Sequence, residues 1–393
     1  MGKFIGQLFN IGIGKESSRG TPVAATYYLP NTSLSVDDKI KVAKDETSIG
    51  VIEDGVGQEI TTRYSEATIE GRATDKGFGL ILMSLMGTDT VGAVESGVKD
   101  HAFTVLQTAQ HPALSLSVYE PNASTGLVYP LGMLDQLDLT IDLDKYIMYK
   151  ATYKANKSTS QANTTSYIAE NAFRPQDFTI GYAPTLAGAN GTLTATGTAA
   201  TTIHVTSCSI NPQTLLQVGM TVSGTNIPAG ATIASIVSAT AFDLSAASTG
   251  AIGTMTFGPA VVQIKKASLS FKKNTEDDEV LGSIDPVDRL NKQFAVTGSF
   301  ELFYTDRTMI DTIMLGDIYK AVNLKAINSG VTIGTTSHPS LTINLARVKL
   351  AEVSRKIDSK NIVSQTVKFT AFYSLSDTEM LDITLRNTVT SAY

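Results

Sequence analysis

Hydrolysis or group transfer needs a nucleophile beside a base, and this 393-residue sequence offers few candidates: four histidines and one cysteine. His111 and His338 each precede a proline at the head of a strand-like run, HPALSLSV and HPSLTINL. Positions that repeat each other fit a turn at the start of a strand better than a catalytic base. His101 and His204 have no patterned partner. Cys208 has no neighbouring base to lower its pKa, so a buried, inert thiol is expected. One cysteine excludes an intrachain disulfide framework, and with four histidines it leaves a zinc site short of ligands. Glu276, Asp277, Asp278 and Glu279 form an acidic run without the alternating spacing of a calcium loop. The run reads as a solvated loop or as a patch facing basic residues on a partner. Gly77-Phe78-Gly79 lies inside an apolar run with no Lys-Ser/Thr after it, which is not a phosphate loop. No catalytic residue, metal or cofactor is expected, and the chain does not read as an enzyme.

The surrounding sequence is that of a β-rich assembly protein. Only 17% of residues are charged, tryptophan is absent, and the net charge is −6. That charge argues against a protein that grips nucleic acid through its phosphates. No stretch approaches a membrane span, and residues 1–20 lack a cleavage site of the A-x-A kind, so they read as an arm and not as a secretion signal.

Charge also divides the chain. Residues 1–182 carry 15 basic and 21 acidic side chains, and residues 263–393 carry 16 and 15. Between them, residues 183–262 hold one, Asp243. Short β-branched runs separated by Gly and Pro turns predict a small all-β module there; the alternative is a low-complexity linker. A core of Ile203, Val205, Leu215, Leu216, Val222, Ile227, Ile233, Ile236, Val237, Phe242 and Leu244 favours the module. The expected divisions are an arm at 1–20, a first β domain at 21–182, the inserted module at 183–260 and a second β domain at 261–393.

The flanks repeat each other. Thr74-Asp75 and Thr305-Asp306 each follow a strand-like run and precede an apolar run ending in Gly87 or Gly316. His111-Pro112 matches His338-Pro339, and YIMYKATY (146–153) matches TVKFTAFY (366–373). Each copy reads as strands, one short helix near 75–87 or 307–316, then further strands. Thr-Asp would cap each helix and glycine would end it. Leu80, Leu82, Met83 and Met86, with Met309, Ile310, Ile313 and Met314, would face a sheet. Strict alternation puts Leu137, Leu139, Ile141 and Leu143 on a buried face and Gln136, Asp138, Thr140, Asp142 and Asp144 on a polar one. The fold class is therefore mainly β: two tandem β-sandwich or barrel domains, each with one helix, plus a small β insert. Polar stretches at 43–63 and 272–292 interrupt the pattern and suggest partner contacts.

The segment KESSRGTPVAATYYLP (15–30) resembles the N-terminal signature of major tail proteins of long-tailed, siphovirus-type bacteriophages, and VGMTVSGTNIPAGATIASI (218–236) is similar to small β modules of phage virion proteins. The resemblance implies a tail tube protein whose rings stack around a genome-conducting channel, with tape measure, tail terminator and baseplate proteins as partners. It places the chain in the virion tail, assembled in the host cytoplasm, with no membrane. Six tube folds usually make a ring, so a chain holding two would need three copies. A lumen that passes DNA should repel phosphate. Glu66, Glu70, Asp138, Asp142, Asp144 and Glu301 are the candidate lumen acids, with an outer surface as the alternative. Glu53, Asp54, Glu276, Asp277, Asp278 and Glu279 are candidates for contacts between rings. A secreted surface or fibre-type adhesin is the competing reading, and it should carry a secretion signal.

Overall fold

A computed structural model describes residues 5–393, except Asp54 and residues 122–123, 163, 306, 308 and 358–361; at 309, 311 and 312 it describes the backbone alone. The fold is mainly β. The first half runs β1 (Asn10–Lys15), β2 (Tyr27–Leu29), β3 (Asn31–Asp45), β4 (Gly57–Arg72), helix α1 (Gly77–Met86), β5 (Thr90–Glu95), β6 (Val98–Thr104), β7 (Leu114–Tyr119), β8 (Thr125–Asp142), β9 (Met148–Ala155), β10 (Thr159–Ala162) and β11 (Phe178–Ala183). The middle holds β12 (Leu193–Thr196), β13 (His204–Val205), β14 (Met220–Gly224), β15 (Ile233–Ser238), β16 (Ala241–Leu244) and β17 (Thr254–Val262). The second half adds β18 (Lys266–Lys272), β19 (Glu276–Asp278), β20 (Asp288–Leu290), β21 (Ala295–Phe303), a π-helical turn (Met309–Met314), β22 (Lys320–Ile327), β23 (Ser340–Lys356), β24 (Ser364–Phe372) and β25 (Leu381–Asn387).

Eight strands form one continuous antiparallel sheet in the order β3–β4–β9–β8–β18–β21–β24–β23. It is one four-strand unit used twice. β3, β4, β9 and β8 correspond to β18, β21, β24 and β23, and β8 joins β18 at the seam. A bulge recurs at the matching place. It leaves Asp135 unpaired between Leu134 and Gln136 against β9, and Ala351 unpaired between Leu350 and Glu352 against β24.

This topology corrects two of the sequence matches. His338-Pro339 precedes β23, whose counterpart is β8, whereas His111-Pro112 precedes β7, which pairs with β1 and β8. The two pairs share a local job and not a place. Proline is tolerated at a strand start, and each histidine Nδ1 meets a carbonyl, His111 with Leu85 at 2.8 Å and His338 with Val331 at 2.7 Å. The aromatic strands are equivalent, but the bulges set them four residues away from the matched register. A period-two pattern scores alike at every even shift, so the sequence could not fix it.

Helix α1 is apolar on every side, and all ten of its residues are buried. It ends as expected at Gly87, which is left-handed (φ 93°) and donates its N–H to Met83 O. Its start is not capped by Thr-Asp. Asp75 instead accepts two bonds from Asn171, each 2.8 Å, and the carboxylate of Glu170 takes the first-turn N–H of Gly77. In the second half the turn is π-helical, with Leu315 N–H bonded to Ile310 O (2.8 Å) and Ile318 N–H to Ile313 O (3.2 Å). The left-handed residue there is Asp317 (φ 57°), not Gly316. The proposed cap Asp306 and the side chain of Met309 lie outside the described residues. Leu143 is exposed, because β8 ends at Asp142.

The middle segment has its own core around Val205, Met220, Val222, Ile233, Phe242, Leu244 and Phe257; Ile203 and Val237, expected inside, are exposed. No linker follows it: β17 runs from this core straight to β11 and carries Ala183, Ala321 and Ala346 into the same cluster. The lone charge of the segment, Asp243, is held below the usual carboxylate range by His204 (2.6 Å) and Ser235 (2.7 Å).

The stretch 272–292 is not simply a solvated loop. Lys273 is fully buried and donates to Ser84 O (3.0 Å) at the C-terminal end of α1, where a cation suits the helix dipole. Burial, aided by the nearby charge of Arg19, pulls its pKa down to about 7. Unfolding therefore takes up a proton between about pH 7 and the ordinary lysine value near 10.5. Stability should rise with pH across that window by a few kcal/mol, with a limiting slope of roughly 1.4 kcal/mol per pH unit. Denaturant titrations of the wild type and Lys273→Met check this: the rise should be clearly smaller in the variant, where Lys320, also held below its ordinary value by burial, still contributes.

Candidate functional site

The eight-stranded sheet presents one apolar and one polar face. Leu137, Leu139, Ile141, Ala151, Tyr153, Leu269, Phe271, Val296, Phe300, Val367 and Phe369 point into the core. Alternate residues stand on the open side. One cross-strand row reads Glu70, Lys150, Asp138, Ser270, Thr297 and Thr370. A second reads Asp142, Lys266, Glu301, Thr366 and Ser354. Glu66 lies opposite Asp37 and Lys154 on the same face.

Five of the six acids proposed for a lumen, Glu66, Glu70, Asp138, Asp142 and Glu301, are thus brought together. Asp144 is not on the strand; it sits exposed in the turn after β8, beside Lys145 and Tyr146 at the rim.

The face is charge-balanced and not acidic. Glu70 meets Lys150 (3.0 Å), Asp142 meets Lys266 (3.4 Å), Glu301 meets Lys265 (3.9 Å), Glu352 meets Lys368 (2.8 Å), and Glu66 meets Lys39. Asp138 accepts from Gln136 Nε2 at 2.7 Å. Opposite charges facing each other across strands stabilise a sheet modestly, by about 0.2–1 kcal/mol per pair. Their larger consequence is a surface on which each acid of these pairs is answered by a cation, with Ser, Thr and the further charges Asp37, Lys154 and Lys272 between them. Sequence reading found the acids and missed these lysines. The signal was present as alternation in Lys39–Lys41 and in Lys150–Lys154.

The second candidate group lies where the β3–β4 hairpin extends past the sheet. The stretch 43–63, expected as a pattern-breaking loop, is mostly the end of that hairpin, with 46–56 as its tip. The hairpin meets the stretch 272–292 within the chain, and the N-terminal arm meets that same stretch. Lys41 pairs with Glu279, and Arg63 N–H bonds Ile284 O (2.7 Å). Asp285 draws in Arg63 (3.6 Å) and Lys157 (3.0 Å), while Arg19 of the arm binds Asp288 (2.9 Å).

Among the proposed contact acids, Asp277 is committed inward, 2.9 Å from the fully buried Arg289, whose own pKa burial holds down. Asp278 is half-buried in β19, and Glu276 pairs with Lys292 (2.7 Å). Glu53 is exposed, and Asp54 lies outside the described residues. The hairpin end instead exposes Ile40, Val42, Ile49, Val51, Ile52, Val56 and Ile60, an apolar group that the polar reading of this stretch overlooked.

The histidines have partners that the sequence did not reveal. His101 is buried against Asp89 (2.9 Å), and His204 meets Asp243. Burial raises the pKa of Cys208.

A sheet of two four-strand units of like order, with one open face of paired charges, and a hairpin with an apolar end are features of a structural protein and not of a catalytic site. The family model described as "Phage tail tube protein" matches residues 6–371, nearly the whole chain, and the chain belongs to that family. It is a structural component of the virion tail. No curated protein matches the sequence.

Proposed function

We propose that three chains close into a ring with pseudo-sixfold symmetry, and that rings stack into the tail tube of a siphovirus-type phage, the channel for genome ejection. The observation that carries this reading is the eight-stranded sheet, built from two four-strand units of like order and, among the described residues, open along β3 at one edge and along β23 past Leu350 at the other. Three such sheets give about 24 strands. With roughly 4.8 Å between strands and a tilt near 40°, the barrel backbone is roughly 48 Å across, leaving roughly 38 Å inside the side chains. That passes a duplex roughly 20 Å wide. Two chains would leave roughly 20 Å by the same geometry.

In this reading the polar face lines the lumen. Its ion pairs leave neither a basic wall that would hold phosphate nor a strongly repelling one, so DNA slides past without specific binding. The tape measure protein would occupy the lumen before DNA does, and terminator and baseplate proteins would cap the tube ends. Assembly would take place in the host cytoplasm. Native mass spectrometry of rings released from tubes should give the mass of three chains; six chains per ring would overturn the proposal.

Two outcomes follow. The middle segment projects outward, so replacing residues 190–257 with a short Gly/Ser turn, while Ala260–Val262 stay beside β11, should leave tubes of unchanged inner diameter. Loss of assembly would assign it ring contacts. The arm expected at 1–20 is instead bound within its own chain, through β1 and Arg19, so the contact with the next ring falls to the apolar hairpin end: amides of residues 46–56 should exchange fast in the free subunit and slowly in the tube. Equal exchange in both states would exclude them from the contact.

A further inference from the structure

We infer the strand register of the seam between chains: β23 of one chain pairs antiparallel with β3 of the next, Glu352 opposite Lys39, Ser354 opposite Asp37 and Lys356 opposite Ser35. The inference rests on the ring reading and adds to it which residues meet.

The seam has a pattern inside the chain. β8 pairs with β18 through Gln136–Lys272, Asp138–Ser270, Thr140–Ser268 and Asp142–Lys266. The bulges make Gln136, Asp138 and Thr140 equivalent to Glu352, Ser354 and Lys356. Glu70 and Glu301 occupy equivalent places before the two helical turns, so their partners Ser33 and Lys266 are equivalent. Ser35, Asp37 and Lys39 then match Ser268, Ser270 and Lys272. Carrying the β8–β18 register across gives the pairs stated.

Among the described residues both edges are free to make them: β3 pairs with β4 alone, and past Leu350 β23 pairs with β24 alone. A long unpaired edge is a template for another strand, and the composition suits a second copy of this chain. Glu352 opposite Lys39 links two ion pairs into a chain of alternating sign, Lys368–Glu352–Lys39–Glu66, its last step diagonal because Glu66 stands opposite Asp37. On the other face Ile357, 75% exposed, comes opposite Leu34, and Arg355 comes beside Asp38. A slip of two residues one way would set Glu352 against Asp37. A slip of one would turn the polar face into the core.

Cysteine pairs test the register in rings first verified by electron microscopy. Ser354→Cys with Asp37→Cys, and Glu352→Cys with Lys39→Cys, should oxidise to covalent dimers and closed trimers, since opposed strand residues approach disulfide range. Ser354→Cys with Lys39→Cys, shifted by two, should react at least about tenfold more slowly. Faster reaction of the shifted pair, or no cross-link in intact rings, overturns the register and leaves the ring standing. Rings absent from the wild-type protein would overturn the ring itself. A charge exchange provides a second measure: Glu352→Lys and Lys39→Glu should each raise the concentration needed for assembly, and the double variant should raise it less than the two single effects combined, the like-charged Lys368 and Glu66 within each chain preventing full recovery. Strict additivity of the two effects counts against the pairing.

Discussion

Tubes built from a chain carrying Glu66→Gln, Glu70→Gln, Asp142→Asn and Glu301→Gln should capture duplex DNA and shield it from nuclease, whereas wild-type tubes should not. The four substitutions remove the acid from four ion pairs and leave Lys39, Lys150, Lys266 and Lys265 uncompensated on the polar face. With three chains per ring and rings stacked, a passing duplex meets a basic wall. Six to ten phosphate contacts make binding fall by about 10³–10⁵ between 50 and 200 mM salt. Retention should therefore be strong at low salt and steeply salt-dependent. The face pairs are exposed and individually weak, so assembly should survive. DNA bound but open to nuclease would place this face outside the tube. No capture would separate the charge balance from DNA passage.

Arg289→Ala should be the most destabilising single substitution on the polar segments, by about 3–5 kcal/mol. The guanidinium is fully buried, pairs with Asp277 at 2.9 Å and donates to Asn156 Oδ1 at 2.6 Å. Truncation leaves Asp277 with an unpaired charge in a largely closed site. The arm is loosened as well, because Arg19 donates to Arg289 O (2.6 Å) beside its Asp288 contact. Arg289→Met with Asp277→Leu should recover most of the loss, since an apolar pair of similar volume replaces a buried ion pair at little cost. Urea unfolding of the three variants checks both parts. A loss below about 1 kcal/mol for Arg289→Ala would mean that the pair is solvated, as surface pairs are.

The sequence was legible where a local rule decides the structure. Alternation from Gln136 to Asp142 set the two faces of β8, the apolar run from Phe78 to Met86, interrupted only by Ser84, marked the helix, and Gly87 marked its end. It was illegible where distant residues decide. Nothing near Thr74-Asp75 announces that Glu170 supplies the cap. Nothing near Lys273 or Arg289 shows that a helix terminus and Asp277 draw these cations inside. The repeat lay between these cases. Glu70 and Glu301, four residues ahead of Thr74 and Thr305, marked equivalent places, while His-Pro marked two different ones, because the start of a strand asks for the same local chemistry wherever it occurs. For the candidate lumen, the acids were legible singly. Their balance by lysines on neighbouring strands needed the register.

The symmetry of the ring is the most direct test of the whole account. Two four-strand units per chain, joined by a contact within the chain and a similar one between chains, must close by rotation. Rotational averaging of tube cross-sections by electron microscopy should give threefold symmetry, a pseudo-sixfold inner wall and three outer projections from the middle segments. True sixfold symmetry with six chains and six projections would contradict it.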